Sequence, residues 1–452
     1  MRYKQRLAGY EKKKKQLIEE FALKIKDNKK VRLGKSTSNL FRHRKNNHSI
    51  INVREFNNVI NIDAENLIAE VEGMITYEEL VKETLKHGVM PTVVPELKSI
   101  TLGGAVTGIG IESSSFKYGL VHETITEMEI LLSDGSIAIC TAENKHKDLF
   151  FGFPNSYGTL GYALKLKVRL IPVKKYVQIT HLKFAGAKDY FNKLQQLCMQ
   201  KDLFDFIDGT IFNEHELYIT LGKFVDKAPY VSNYKYLNIY YKSIQSKNTD
   251  YLTISDYIWR WDSDWFWCSK HFGAQNMILR FLAGKWLLKS TTYWKIRKWN
   301  SKYKIGEKLG KILRTQKSES VVQDIEVPIE NCEEFVAFFH KEIGIKPIWV
   351  CPTHAYDTTV IYDLYDMDYS KLYINFGFWD MVKTTQKEGY YNQKVENKVR
   401  ELQGKKSLYS TSFYTEKEFW DLYNKKSYDK LKRKYDSRYG LSNLYDKCVM
   451  RK

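Results

Sequence analysis

TLGGAVTGIGIESSSFKYG, residues 101–119, decides how the chain is read. Gly103, Gly104, Gly108 and Gly110 carry no side chain, so their backbone amides can come close to a ligand. Thr101, Thr107, Ser113 and Ser114 add hydroxyls, and the combination makes an anion nest suited to a diphosphate. A tight glycine turn with nothing bound would have the same composition. The spacing departs from G-x-G-x-x-G and no helix obviously follows, which excludes a Rossmann fingerprint. RLGKSTSNLF (32–41) contains a G-K-S, but Lys29 stands where a phosphate-binding P-loop needs its first glycine, so a kinase or ATPase is excluded too.

Working outward, Pro91 and Pro95 bracket an extended turn before the glycine stretch. Upstream of it, Thr76 with Glu79 predicts a capped helix closed by Gly88. Short β-rich pieces cover Ser49 to Val53, Val59 to Ile62 and Leu67 to Val71. Downstream, Ile125 to Leu132 and Ser136 to Thr141 predict a hairpin around Asp134-Gly135. A short helix near Lys147 to Phe151 leads to a second glycine turn, SYGTLG (156–161), and a strand from Ala163 to Ile171. The first 28 residues read as one basic helix with a partial apolar stripe.

Beyond Pro172 the composition changes. Aromatics crowd YIWRWDSDWFW (257–267), and VVQDIEVPI (321–329), IKPIWVCP (345–352) and LYINFGF (372–378) predict an antiparallel sheet accompanied by helices. The tail from about Leu408 is expected to mix a strand with the helix EKEFWDLY. The fold class is therefore α+β. At 452 residues the chain is too long for one core, and two large domains are expected. The divisions fall at 1–28, 29–175, 176–405 and 406–452.

The six cysteines are scattered without a C-x-x-C pair, which argues against a metal cluster or disulfide framework and for a reducing cytoplasm. Asp262 and Asp264 alone make poor ligands, and no metal is expected. The opening MRYKQRLAGYEKKKK lacks an apolar signal core, and MILRFLAGKWLL (277–288) is too short to span a bilayer. The net charge of +19 is either solvated lysine-rich surface or an attraction for anionic lipid or phosphorylated ligands. No nucleic-acid module is present, and no nucleic-acid partner is expected.

PELKSITLGGAVTGIGIESSSFKYGL together with DLFFGFPNSYGTLG resembles the FAD-binding domain of the vanillyl-alcohol-oxidase superfamily (PCMH type), closest to its delta(24)-sterol reductase branch. The resemblance continues through VVQDIEVPI and PIWVCP to FYTEKEFWDLY. It implies an FAD-binding domain, a substrate or cap domain, and a C-terminal segment that returns to the flavin. It also implies three stretches that hold the cofactor: Ser36, Thr37, Ser38 and Asn39; then Thr101, Leu102, Gly103, Gly104, Thr107, Gly108, Gly110, Ile111, Glu112 and Ser113; then Ser156, Gly158, Thr159 and Gly161. KSTSNLFRH lacks the G-G-H pattern of members that attach FAD covalently, so the FAD is expected to be non-covalent, with His43 and His48 as surface residues.

Saturating an isolated carbon–carbon double bond takes a hydride and a proton. The resemblance implies that FAD delivers the hydride, with NADPH as the expected electron donor. No second dinucleotide motif is present, so NADPH would have to dock transiently at the same flavin face. Tyr414 matches a family tyrosine and is the candidate proton donor; plain packing is the alternative. Glu112 either faces the flavin ring or pairs with Lys117. His122 and His354 are weaker acid–base candidates. The expected substrate is a lipid alkene reached at an anionic membrane surface, with Trp259, Trp261, Trp265 and Trp267 and then Ile278, Phe281, Leu282 and Trp286 seated at the interface, and Arg280 and Lys285 snorkelling. An oxidase of an alcohol using dioxygen, or a non-catalytic basic lipid-binding protein, remain the rival readings.

Overall fold

The computed structural model describes residues 2–24, 30–35, 48–303 and 317–451. The first sheet contains β3 (Val59–Asp63), β4 (Ile68–Glu72), β5 (Val89–Pro91), β6 (Ile125–Leu131), β7 (Ile137–Cys140) and β8 (Tyr162–Pro172). Its order is β3-β4-β8-β6-β7, with β5 also pairing β8. β8 alternates as a half-buried strand should: Leu164, Leu166, Val168 and Leu170 are buried, while Lys165, Lys167 and Arg169 face the other way. β1 (Val31–Gly34) and β2 (Ser49–Asn52) form a separate parallel pair.

The basic N-terminal helix α1 (Arg2–Lys24) covers the charged side of the first sheet. Tyr10, Leu17 and Phe21 bury its apolar stripe. Beside them, Lys14 reaches Glu129 at 3.0 Å, Tyr10 donates to the same carboxylate at 2.7 Å, and Lys13 pairs with Glu72. Lys165 lies beneath, 2.6 Å from Glu70 and 2.8 Å from Glu129. Part of the basic excess is therefore matched inside the fold. The predicted helix α2 (Tyr77–Leu85) forms with Thr76 as its N-cap, but Glu79 turns to Lys82. The Asp134-Gly135 hairpin forms as expected, with Gly135 at a φ of 89°.

The second sheet is antiparallel and eight-stranded: β9 (Tyr176–Phe184), β10 (Phe206–Asn213), β11 (Glu216–Val225), β12 (Thr249–Thr253), β13 (Ser318–Pro328), β14 (Ile348–Thr353), β15 (Tyr373–Lys383) and β16 (Lys405–Lys406). They run in the order β12-β9-β11-β10-β14-β15-β13-β16. Helices Ala187–Met199, Cys332–Glu342 and Tyr390–Glu401 cover one face, burying Tyr190, Phe335 and Val395 against Ile207, Ile219 and Phe376. β14 shows why both faces are buried. Ile348 and Val350 enter that core, while Trp349 and Cys351 enter a second core shared with the first sheet. This is a two-unit α+β architecture.

Three expectations are corrected. No strand starts near Leu408: the last strand is the two-residue β16, and 408–415 carry no regular structure before the helix Glu416–Leu422. Trp261 and Trp267 are buried in the core rather than held ready for a membrane. Arg280 does not snorkel; it is 1% exposed and paired with Asp264. The side chains of Lys285 and Trp286 lie outside those described. No helix among the described residues is long and apolar enough to cross a membrane. All six cysteines are buried.

Candidate functional site

The glycine stretch folds differently from the expected loop. Leu102–Gly108 is a short helix, α3, whose N-cap Thr101 accepts a hydrogen bond from the Gly104 amide at 3.2 Å. Glycine propensity disfavours this, so tertiary packing forms the helix. A Cβ on Gly103 would lie 2.7 Å from the Gly73 carbonyl oxygen, so this glycine lets two backbones meet. A Cβ on Gly104 would meet only the Thr101 hydroxyl, at 2.8 Å. Gly104 therefore opens onto space, and that space is a cavity of about 400 Å³.

Ser99 to Thr101, Gly103 to Ala105 and Thr107 to Glu112 line this cavity, as do Gly158 and Gly161. Leu102, Ser113, Ser156 and Thr159 do not; they are buried behind it, with Ser113 beside the Tyr257 hydroxyl at 3.3 Å and the Thr159 hydroxyl donating to the Ser156 carbonyl at 2.7 Å. Ser36, Thr37, Ser38, Asn39 and His43 lie outside the described residues. The adjoining strand β1 contributes Val31, Arg32 and Leu33, and Lys35, His48 and Lys447 add basic side chains to the lining. Arg32 Nε is buried with no hydrogen-bond partner. An unsatisfied guanidinium donor beside glycine-exposed backbone suits a diphosphate.

The lining also holds an aromatic group: Trp265, Phe266, Trp349 and Trp379. Phe266 lies 4.4 Å from Trp379 and 5.5 Å from Trp349, measured between ring centroids. Trp379 donates its indole N–H to the Tyr409 hydroxyl at 2.9 Å, and Tyr409 is hydrogen-bonded to Asp324. Both Tyr409 and Asp324 line the cavity. Burial pushes the Asp324 carboxyl up to about 6, against hydrogen bonds from Tyr409 and Asn375.

Backbone strain collects here as well. Eleven described non-glycine residues have positive φ, and five of them, Leu97, Ile109, Tyr157, Trp265 and Phe266, line this cavity. Bulky and β-branched residues hold such angles at a cost of roughly 1–3 kcal/mol each, a feature that concentrates at functional sites.

Beneath the wall sits a buried ion cluster. Arg260 is 3% exposed and reaches Glu96 at 3.1 Å, Glu112 at 3.1 Å and Asp208 at 2.8 Å. Glu96 and Glu112 belong to the segments around the glycine helix, and Asp208 to β10, so one guanidinium ties the two units together. Burial raises Glu96 well above the usual carboxylate range and raises Glu112, in both cases against the pull of Arg260. The expected Glu112–Lys117 pair does not form. Lys117 instead faces Asp202 at 3.3 Å on the surface.

Tyr414 is also placed differently from expectation. It is 5% exposed, packs against Tyr423 and is absent from the cavity lining; Tyr409, five residues earlier, reaches it. His122 is buried against Tyr362, its ring held down to about 3 by burial, and His354 bonds the Ala355 carbonyl, so neither reaches the cavity. Asp262 accepts from Ser290, and Asp264 from Ser269 and Arg280. Arg260, Asp324 and Tyr409 went unread in the sequence. The aromatic density of 257–267 was the one local signal pointing towards this wall.

Comparison with known proteins agrees with this geometry. An FAD binding domain model matches residues 12–141, which include the whole of α3. The chain is 28% identical over 405 residues to the delta(24)-sterol reductase of Homo sapiens, covering 86% of this chain and 75% of that one. It is 26% identical over 444 residues to the delta(24)-sterol reductase of Pisum sativum, covering 89% and 76%. A shorter match, 25% over 149 residues, covers 33% of this chain and 26% of cytokinin dehydrogenase 1 of Arabidopsis thaliana. A matched cofactor domain and a cavity lined by its glycine helix, with similarity to delta(24)-sterol reductases over most of the length, make the chain an FAD-dependent oxidoreductase.

Proposed function

We propose that the chain saturates a carbon–carbon double bond of an apolar lipid, with NADPH as electron donor, and that it works as a peripheral protein at a lipid surface. The observation that carries this reading is the mixed lining of one cavity, which combines glycine backbone and basic side chains with four aromatic rings and the Tyr409 phenol hydrogen-bonded to Trp379. We assign residues 29–175 to cofactor binding and 176–405 to the substrate, with 406–452 returning to complete the cavity through Tyr409, Ser442 and Lys447.

Bound FAD would supply the hydride. Arg32 would hold its diphosphate through the guanidinium, with Gly104 and Gly108 leaving room for its approach to α3. Trp265, Phe266, Trp349 and Trp379 hold an apolar chain and exclude water. The Tyr409 hydroxyl accepts from Trp379, which leaves its own proton directed at Asp324 or at a substrate carbon. In this reading Tyr409 gives that proton to the carbon opposite the hydride, and the Asp324 carboxyl returns it.

Anaerobic mixing tests this directly. NADPH should bleach the yellow protein, and a lipid alkene should restore the colour. Tyr409→Phe should bleach normally but recover about 100-fold more slowly, the scale of a lost general acid. Tyr414→Phe should recover like the wild type. Because Asp324 is active when protonated, recovery should fall as pH rises through about 6 and become insensitive to pH in Asp324→Asn. Unchanged recovery in Tyr409→Phe removes Tyr409 as donor. Failure of NADPH to bleach the flavin, with rapid bleaching by an alcohol, would turn the assignment to an oxidase.

A further inference from the structure

We propose that two consecutive helices, Met277–Leu287 and Ser290–Tyr303, form the surface on which the protein docks to an anionic lipid bilayer. Asn276 caps the first helix, accepting from the Ile278 and Leu279 amides at 2.9 and 3.2 Å. Its polarity is the reverse of an ordinary surface helix. Met277, Ile278, Phe281 and Leu282 are between 66% and 73% exposed, and the spacing i, i+1, i+4, i+5 puts them on one face. Arg280 of the same helix points inward and bonds Asp264 and the carbonyls of Tyr236 and Ala274. The second helix adds Trp299 at 57% and Ile296 at 42%. Contiguous exposed apolar surface of this kind marks an interaction site rather than scattered surface residues.

Charge selects the occupant. From Met277 to Tyr303 the sequence holds seven lysines and arginines and no acidic residue, and six of the seven remain once the inward-paired Arg280 is set aside. An apolar helix face set in such a basic segment fits an anionic lipid surface, where the apolar residues enter the interface and the lysines meet headgroups. A second copy of the same chain would bring basic charge against basic charge.

The docking surface is also coupled to the cavity. Asp264, which holds Arg280, directly precedes Trp265 and Phe266 of the aromatic wall, and the Trp265 ring lies parallel to that of Tyr293 in the second helix, 6.5 Å away. A bilayer beneath these helices would lie next to the aromatic group of the cavity lining. This inference rests on the lipid-alkene reading for its purpose, though not for its test.

Flotation of the purified protein with phosphatidylcholine vesicles, with and without phosphatidylserine, tests it. The wild type should float with phosphatidylserine vesicles at low salt and less so at high salt. The double variant Phe281→Asp with Leu282→Asp should bind these vesicles at least about tenfold more weakly, with an unchanged melting temperature because both side chains are exposed. It should also retain wild-type activity on a detergent-solubilised alkene. Absence of flotation at low salt, or equal flotation of the double variant, overturns the proposal. So does loss in the variant of a self-association seen by sedimentation without loss of flotation. If flotation behaves as stated while no solubilised alkene is reduced, the docking surface stands and the lipid-alkene reading fails.

Discussion

Arg260→Met should lower stability at pH 8 by on the order of 3–5 kcal/mol, the cost of leaving buried carboxylates without their cation. Arg260 is the one basic side chain within reach of Glu96, Glu112 and Asp208 among the described hydrogen bonds and ion pairs. One oxygen of each carboxylate already lacks a partner. Glu96 and Glu112 have folded-state values above their ordinary range, chiefly through burial. The folded protein therefore keeps protons that the unfolded chain has released, and their contribution to stability falls as pH rises from about 4.5. Removing Arg260 raises both values further and steepens that fall. Thermal melts across pH should show the variant approaching the wild type near pH 5 and separating from it towards pH 8. Parallel melting curves at every pH would mean that the cluster does not join the two units energetically. Adding Glu112→Gln to Arg260→Met should recover part of the loss, since the two positions are directly coupled.

The second large effect concerns the cofactor. Gly104→Glu should yield a folded, colourless protein that binds FAD at least about 100-fold more weakly, because it places bulk and negative charge where a diphosphate must approach. Position 104 is the third residue of α3, three after the cap Thr101, so a glutamate there completes a capping box and favours the helix. Loss of colour would then report on the site and not on the fold. Gly103→Ala is the contrasting case. Its methyl would meet the Gly73 carbonyl, so it should lower the melting temperature of the protein with or without FAD. In the wild type, acid precipitation should release FAD into the supernatant, and flavin that stays in the pellet would refute non-covalent binding. Normal FAD content in Gly104→Glu would remove α3 from the diphosphate site.

Much of this was open to reading at the level of composition and period. The alternation of β8 and the Asp134-Gly135 turn depend on neighbours in sequence, and they form where expected. The glycine stretch announced a close backbone approach, but not that one glycine serves the protein's own packing while its neighbour faces the cavity. Local propensity also argued against the helix that tertiary contacts impose. Arg260 meets partners 52, 148 and 164 residues away, a convergence no local pattern encodes. Tyr409 and Tyr414 lie in a stretch without helical or strand period, so nothing in the sequence indicates which of the two rings turns to the cavity. β1 was missed because four residues carry too little alternation to stand out, and Arg32 was missed with it.

The burial of every cysteine has a practical consequence. Burial holds the Cys140 and Cys198 thiols above the ordinary range, which suppresses the reactive thiolate. Cys268 alone among the six borders the cavity, below Trp379, whose carbonyl it approaches at 3.8 Å. Maleimide labelling of the native protein is thus a clock with two hands. One thiol reports the breathing and filling of the cavity, and the other five keep time for opening of the cores.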